Sequence, residues 1–213
     1  MNASFRTSIT LAVLSFAALA AALWLGPTQL ADPLASDEIT RVIVWDIRLP
    51  RSLTAWLAGA ALGLTGAALQ GLLRNPLADS GVLGLSGFAA LGAVIAFAFG
   101  FAAFAPVMAV AFAFVAALLV VTLGWASRGP ASLVLIGVGL SSFAGGLIAL
   151  ALNLAPNPGA LADLVNWTLG SVEGRSLDHV MLAAGLLGVG AVLIFAAARG
   201  LQALTLGEEA AAA

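Results

Sequence analysis

Residues 87–124 read GFAALGAVIAFAFGFAAFAPVMAVAFAFVAALLVVTLG, without one charged side chain. As a single helix this stretch would be roughly 57 Å long, about twice the ~30 Å hydrocarbon core of a bilayer. It must therefore turn back on itself. Gly100 and Pro106 mark the turn, because glycine supplies backbone freedom and proline cannot continue a helix from its N-terminal side. Two adjacent membrane crossings in one uninterrupted apolar run place the chain among polytopic membrane proteins.

The rest of the chain repeats the pattern. Ser8 to Leu25 is uncharged and roughly 27 Å long as a helix, enough to span. A cleaved signal peptide is the rival reading, with Arg6 as its basic start and Ala18-Leu19-Ala20 as its cleavage site. The apolar run is longer than the usual ~7–15 residues and continues through Leu23, Trp24 and Leu25, so a retained span is the better reading. After a polar loop from Pro27 to Asp46 come the runs Ser52 to Leu73, Ala131 to Leu152 and Val180 to Ala198, with the 87–124 pair between. The expectation is an all-α transmembrane helical bundle of six spans, a single membrane domain over 1–213. Composition agrees: 62% of residues are hydrophobic and only 8% charged, whereas a soluble domain carries about 25% charged residues.

What is absent limits the chemistry. All eight basic residues are arginine; lysine, cysteine and tyrosine are missing, and His179 is the only histidine. Without lysine there is no P-loop lysine for a nucleotide phosphate and no Schiff base. Without cysteine there is no disulfide, thiolate metal site or iron–sulfur cluster. No Asp, Glu, Arg or His lies inside the six runs, which counts against a carrier that relays protons through buried ionisable groups. The expectation is a scaffold or conduit with no cofactor, no metal and no nucleic-acid partner, whose energy source is another polypeptide or an ion gradient. Basic residues divide evenly between the two sides, Arg6, Arg74, Arg128 and Arg199 against Arg41, Arg48, Arg51 and Arg175. The positive-inside rule decides nothing from that division. A cytoplasmic N-terminus is expected because Arg48 and Arg51 have a further explanation.

Arg48-Leu49-Pro50-Arg51 stands at the mouth of the second run. Proline suits a first helical turn and pushes the residue before it toward extended backbone, so a helix is expected to start here, flanked by the two arginines. Cations at the positive pole of a helix are unfavourable by about 0.3–1 kcal/mol, so something should hold them. Either they snorkel to lipid headgroups or they offer planar forks to carboxylates on a partner.

Inside the second run Gly59, Gly63, Gly66, Ala67 and Gln70 recur at helical spacing. The bland reading is a packing stripe with a GxxxG pair, although Gln70 must bond a neighbouring helix or face water. Similar close-packing faces are expected at Gly137, Gly145, Gly146, Gly185 and Gly188. Arg74-Asn75-Pro76 ends this helix, with Asp79 placed to pair with Arg74. Pro156-Asn157-Pro158-Gly159 ends the fifth span. Ala160 to Gly170 then reads as a short surface helix whose Trp167 is an interfacial anchor or a gate element.

Taken together, Arg48-Leu49-Pro50-Arg51, Gly59 through Gln70, Arg74-Asn75-Pro76-Leu77-Ala78 and Gly81-Val82-Leu83-Gly84 resemble the FecCD family of ABC-importer permeases. Trp167-Thr168-Leu169-Gly170-Ser171 is similar to the family segment before its sixth span. Leu206-Gly207-Glu208-Glu209-Ala210 is similar to the opening of its cytoplasmic coupling helices. The resemblance implies a permease for iron–siderophore, haem or vitamin B12 uptake in the inner membrane. It implies two permease copies around a central pathway, a periplasmic or lipid-anchored binding protein, and a cytoplasmic ATPase dimer. By resemblance Arg48 and Arg51 meet glutamates of the binding protein, and Gly59, Gly63, Gly66 and Gln70 line the pathway. Trp167 and Gly170 belong to a gate or periplasmic segment, and Leu206, Gly207, Glu208 and Glu209 contact the ATPase.

The family fold has about ten spans of ~20 residues each, and this sequence ends at Ala213. The expectation is therefore an N-terminal portion, truncated within the coupling segment. The alternatives are a secondary transporter or channel with a six-helix core, or a membrane scaffold without substrate.

Overall fold

The computed structural model describes residues 3–25, 37–125, 130–154 and 158–206, and all regular structure among them is helical. The helices are α1 (Ala3–Trp24), α2 (Glu38–Arg41), α3 (Leu49–Leu73), α4 (Leu85–Ala98), α5 (Ala105–Trp125), α6 (Pro130–Asn153), α7 (Pro158–Leu169) and α8 (Leu177–Leu206). A π-helical stretch, Val42–Arg48, joins α2 to α3, and a 3₁₀ turn, Ala102–Phe104, precedes α5. Five apolar helical stretches are long enough to cross a membrane, those over residues 5–24, 38–73, 102–124, 131–153 and 177–202. The remaining expected span, the first of the 87–124 pair, is α4, which has 14 residues, roughly 21 Å, short of the ~30 Å core.

Contacts divide the chain into two units. The first comprises Met1–Ala61 with Val172–Leu193, the second Leu62–Ser171 with Ile194–Ala213. Of the polar loop expected over 27–46, residues 27–36 lie outside the described residues, and the rest is helical from Glu38 onward. Asp37 caps α2, its Oδ2 accepting from Thr40 N–H at 2.9 Å. The hydrogen bonds from Thr40, the side-chain one foremost, hold its carboxyl below the usual range.

The helix start expected at Pro50 is not there. Leu49 is helical (φ −61°, ψ −53°), and α2, the π stretch and α3 form one continuous rod. Proline inside an α-helix removes a hydrogen bond and clashes with the carbonyl four residues back. The π stretch just before it runs on wider i→i+5 bonds, with Leu49 N–H donating to Val44 O, and gives the ring a widened turn to follow. Arg48 and Arg51 thus sit within a rod and not at its positive pole, so the dipole argument for them falls. Ser176 Oγ lies 2.8 Å from His179 Nδ1 where α8 begins.

In the second unit α4 is the central element. Phe88, Leu91, Ala93, Val94 and Ala96 on it are all buried, as expected of a helix apolar on every side. It packs against α5, α6 and α7. Gly100 makes the turn to α5 with φ +77°, where the sequence placed it, and Pro106 sits in the first turn of α5. Outward faces are apolar too: Phe114, Leu118, Leu135 and Phe195 are at least 60% exposed. A surface so rich in large apolar side chains suits a hydrocarbon solvent.

Candidate functional site

The buried charge in the first unit is Arg48, 8% exposed. Its Nη1 donates to Leu23 O at 2.9 Å and to Trp24 O at 3.1 Å. These are carbonyls of the last turn of α1, where backbone acceptors lack helical partners and the dipole is negative, so a guanidinium satisfies both needs. About two helical turns further on, Trp56 Nε1–H donates to Ser15 Oγ at 2.6 Å, and its ring lies 5.5 Å from that of Phe16. α1 is therefore fastened to the π–α3 rod at two levels. Sequence reasoning singled out Arg48 but missed this role. The available signal was a tryptophan within an apolar run, whose N–H needs a partner when buried.

Arg51 differs. It is exposed, and with Arg48, Ser15, Ala22 and Trp56 it lines a cleft of about 550 Å³ between α1 and α3. The structure thus brings the two arginines to one cleft but engages only one of them with α1.

Gly59, Gly63, Ala67 and Gln70 share one exposed face of α3. A Cβ built on Gly59, Gly63 or Gly66 would meet nothing within 4 Å. The same is true of Gly145, Gly146, Gly185 and Gly188, so these are open faces among the described residues. The close approaches lie elsewhere. A Cβ on Gly137 would stand 2.6 Å from Leu83 Cα and collide with Val82 O, and one on Gly92 would stand 2.9 Å from Phe112 Cβ.

The segment after α3 is folded against α6. Arg74 takes a left-handed conformation (φ 50°), and Asn75 N–H returns to Gln70 O at 3.2 Å, closing the helix. Asn75 Oδ1 accepts from Leu77 N–H at 2.9 Å. Asp79 Oδ1 accepts from Val82 N–H at 2.9 Å in place of the expected pairing with Arg74. Ser141 Oγ of α6 donates to Gly81 O at 2.9 Å. Leu73, Ala78 and Leu83 are buried beneath, with Val120 of α5.

Trp167 of α7 packs 5.4 Å from Phe97 of α4, beside Ala93, Ala96 and Ala105. It is half-buried against these residues. Gly170 follows with φ +78° and ends α7 through its N–H to Asn166 O. Leu206 is the last residue of α8, while Gly207, Glu208 and Glu209 lie outside the described residues. Among the described residues no group of His, Cys, Asp and Glu is placed to hold a metal ion.

Five helices long and apolar enough to cross a membrane define a polytopic helical membrane protein. The family follows from comparison. Residues 9–213 match the FecCD transport family, and the chain belongs to it. An uncharacterised ABC transporter permease, YvrB of Bacillus subtilis, is 39% identical over 83% of this chain and 52% of its own length. The vitamin B12 import permease BtuC of Vibrio cholerae is 36% identical over 76% of this chain and 48% of its own. A solved ABC transporter, described as of metal-chelate type and inward-facing, superposes with a TM-score of 0.85 at 27% identity, covering 96% of this chain and 66% of its own. The chain thus spans about half the length of the curated relatives it matches.

Proposed function

We propose that this chain is part of a membrane-spanning permease subunit of an ABC importer, and that its cargo is a metal chelate, haem or corrinoid. The observation that carries the reading is the family match over residues 9–213, joined to the close superposition on an ABC transporter. The subunit resides in the inner membrane with its N-terminus in the cytoplasm and pairs with a second permease copy around the pathway. A binding protein delivers cargo, and a separate ATPase dimer supplies energy; the chain itself hydrolyses nothing.

The site residues divide by role. Arg51, exposed at the cleft, offers its planar fork to carboxylates of the binding protein. Arg48, engaged with α1, holds the rod that presents Arg51. Gly59, Gly63, Gly66 and Gln70 form the face of α3 directed to the pathway. Trp167 and Gly170 set the end of α7 on the binding-protein side. Leu206, Gly207, Glu208 and Glu209 lead to the ATPase contact.

The test is reconstitution of the chain in vesicles, alone and with candidate binding protein, ATPase and the remaining length of a FecCD permease. Uptake that needs ATP and the binding protein is the expected result for the complete set. Uptake driven by a proton or sodium gradient with no ATPase present would replace this reading with a secondary carrier.

A further inference from the structure

α8 begins at Leu177, and Ser176 stands at its N-cap, its carbonyl accepting from His179 N–H at 3.1 Å and from Val180 N–H at 3.3 Å. In return Ser176 N–H donates to His179 Nδ1 at 3.3 Å, and Ser176 Oγ lies 2.8 Å from the same nitrogen. This is the arrangement of a capping box, in which the third residue of a helix reaches back to the N-cap amide, a place usually taken by Glu or Gln. Here the acceptor is an imidazole. Histidine is the side chain whose charge ordinarily changes between about pH 5 and 8.

The amide assigns the tautomer. A backbone N–H can only donate, so Nδ1 is the bare nitrogen of the neutral ring and the proton sits on Nε2. Acid puts a second proton on Nδ1. The serine hydroxyl can then turn round and accept, but the amide is left facing another donor, and the ring carries a positive charge at the positive pole of α8. Both changes act against the first turn. That turn is at the edge of the span: Ser176, Leu177, Asp178 and His179 are exposed, and the uncharged run from Val180 to Ala198 is roughly 28 Å long, enough to fill the ~30 Å core without them.

Among the described residues no other helix packs broadly against α8. The other charged groups here are Glu173 and Arg175 in the preceding loop, Asp178 beside His179, and Arg51, which lines the α1–α3 cleft together with Val172 of that loop. Arginine stays charged and carboxylates as a class titrate near about pH 4, which leaves the imidazole to change state above that. We propose that Ser176 and His179 form a pH-sensitive latch, closed while the imidazole is neutral and released when it is protonated, which sets the order of the 171–176 loop beside the Arg51 cleft.

The chain has one histidine and no cysteine, so an isotope-labelled imidazole and a single introduced label each give one signal. Nitrogen NMR of the histidine-labelled chain in detergent at about pH 8 should show the proton on Nε2; a proton on Nδ1 would overturn the proposal with no residue changed. A nitroxide at Leu177→Cys in phosphatidylcholine vesicles should be several-fold more mobile at about pH 5 than at about pH 8, while one at Met181→Cys, a turn further into the helix, should change little. In the Leu177→Cys chain, His179→Gln keeps an uncharged acceptor in place and should hold the label at both pH values, whereas His179→Ala should free it at both. Equal mobility of the parent label at the two pH values would overturn the latch. So would equal loosening at Met181, which would make it a general effect of acid, or a pH response that survives His179→Gln, which would assign it to the neighbouring carboxylates.

Discussion

Arg48 and Arg51 lie three residues apart and read alike in sequence, yet the structure gives them different surroundings. Arg48 is buried, with one nitrogen bridging two carbonyls at the end of α1. Arg48→Ala should destabilise the folded chain by about 1.5–3 kcal/mol, the range for hydrogen bonds to a charged group, with Lys restoring part. Arg51→Ala should leave stability unchanged and weaken capture of the binding protein, with the loss smaller at high salt because exposed charge pairs are screened. Unfolding in detergent, set beside a docking assay at two ionic strengths, separates the two effects; equal destabilisation by both variants would refute the division. Glycines invite the same discrimination. Gly137→Ala drives a Cβ into the Val82–Leu83 backbone, which cannot retreat as a flexible side chain would, and should cost about 1–3 kcal/mol. Gly145→Ala meets nothing, and should be neutral or stabilising by up to about 1 kcal/mol through helix propensity. Identical unfolding midpoints for the two would contradict the packing described. Sequence spacing cannot make this distinction, because both glycines recur on one apolar helix and only the neighbour decides.

At the level of elements, five of the six expected spans and the hairpin turn at Gly100 were legible because an uncharged run of known length has few ways to lie in a bilayer. The rod from Glu38 to Leu73 was not. Local rules for proline gave a helix start at Pro50, and tertiary structure overrode them with a π stretch that no periodicity announces. The fastening of α1 was equally hidden, since Ser15 and Trp56 are 41 residues apart and nothing in either segment names the other. In sequence, residues 160–170 read as a surface helix and Trp167 as an anchor or gate. Its packing on Phe97 favours an element held in place. Trp167→Ala should loosen α7 from α4 and cost about 1–3 kcal/mol, below the 3–5 of a fully buried tryptophan. Faster protease cleavage within residues 158–170 would report it. Cleavage and stability like those of the parent chain would instead make Trp167 a loosely held residue, as a moving gate requires.

At the scale of the whole molecule the informative surfaces are those left open. The second unit already has a core around α4, and the close glycine contacts at Gly84, Gly92 and Gly137 belong to it. On α3 and α8, Gly59, Gly63, Gly185 and Gly188 each face open space among the described residues. Glycine in a helix interior costs about 1 kcal/mol relative to alanine, so faces that keep it while packing against nothing have another use, and close helix approach or a pathway wall are the uses that need small residues. Both require polypeptide beyond these residues, in a second permease copy or in the further length that the relatives possess. Replacing Gly59 and Gly63 together by Leu should therefore leave the unfolding of the isolated chain nearly unchanged, since leucine favours a helix and there is room for it. In a complete importer the same pair should abolish assembly or uptake, because bulky side chains would fill the space a partner helix or the cargo occupies. The measurement is paired: detergent unfolding of the chain alone, and ATP-driven uptake in vesicles. Destabilisation of the isolated chain would mean that α3 is already packed there, and undiminished uptake would remove Gly59 and Gly63 from the pathway.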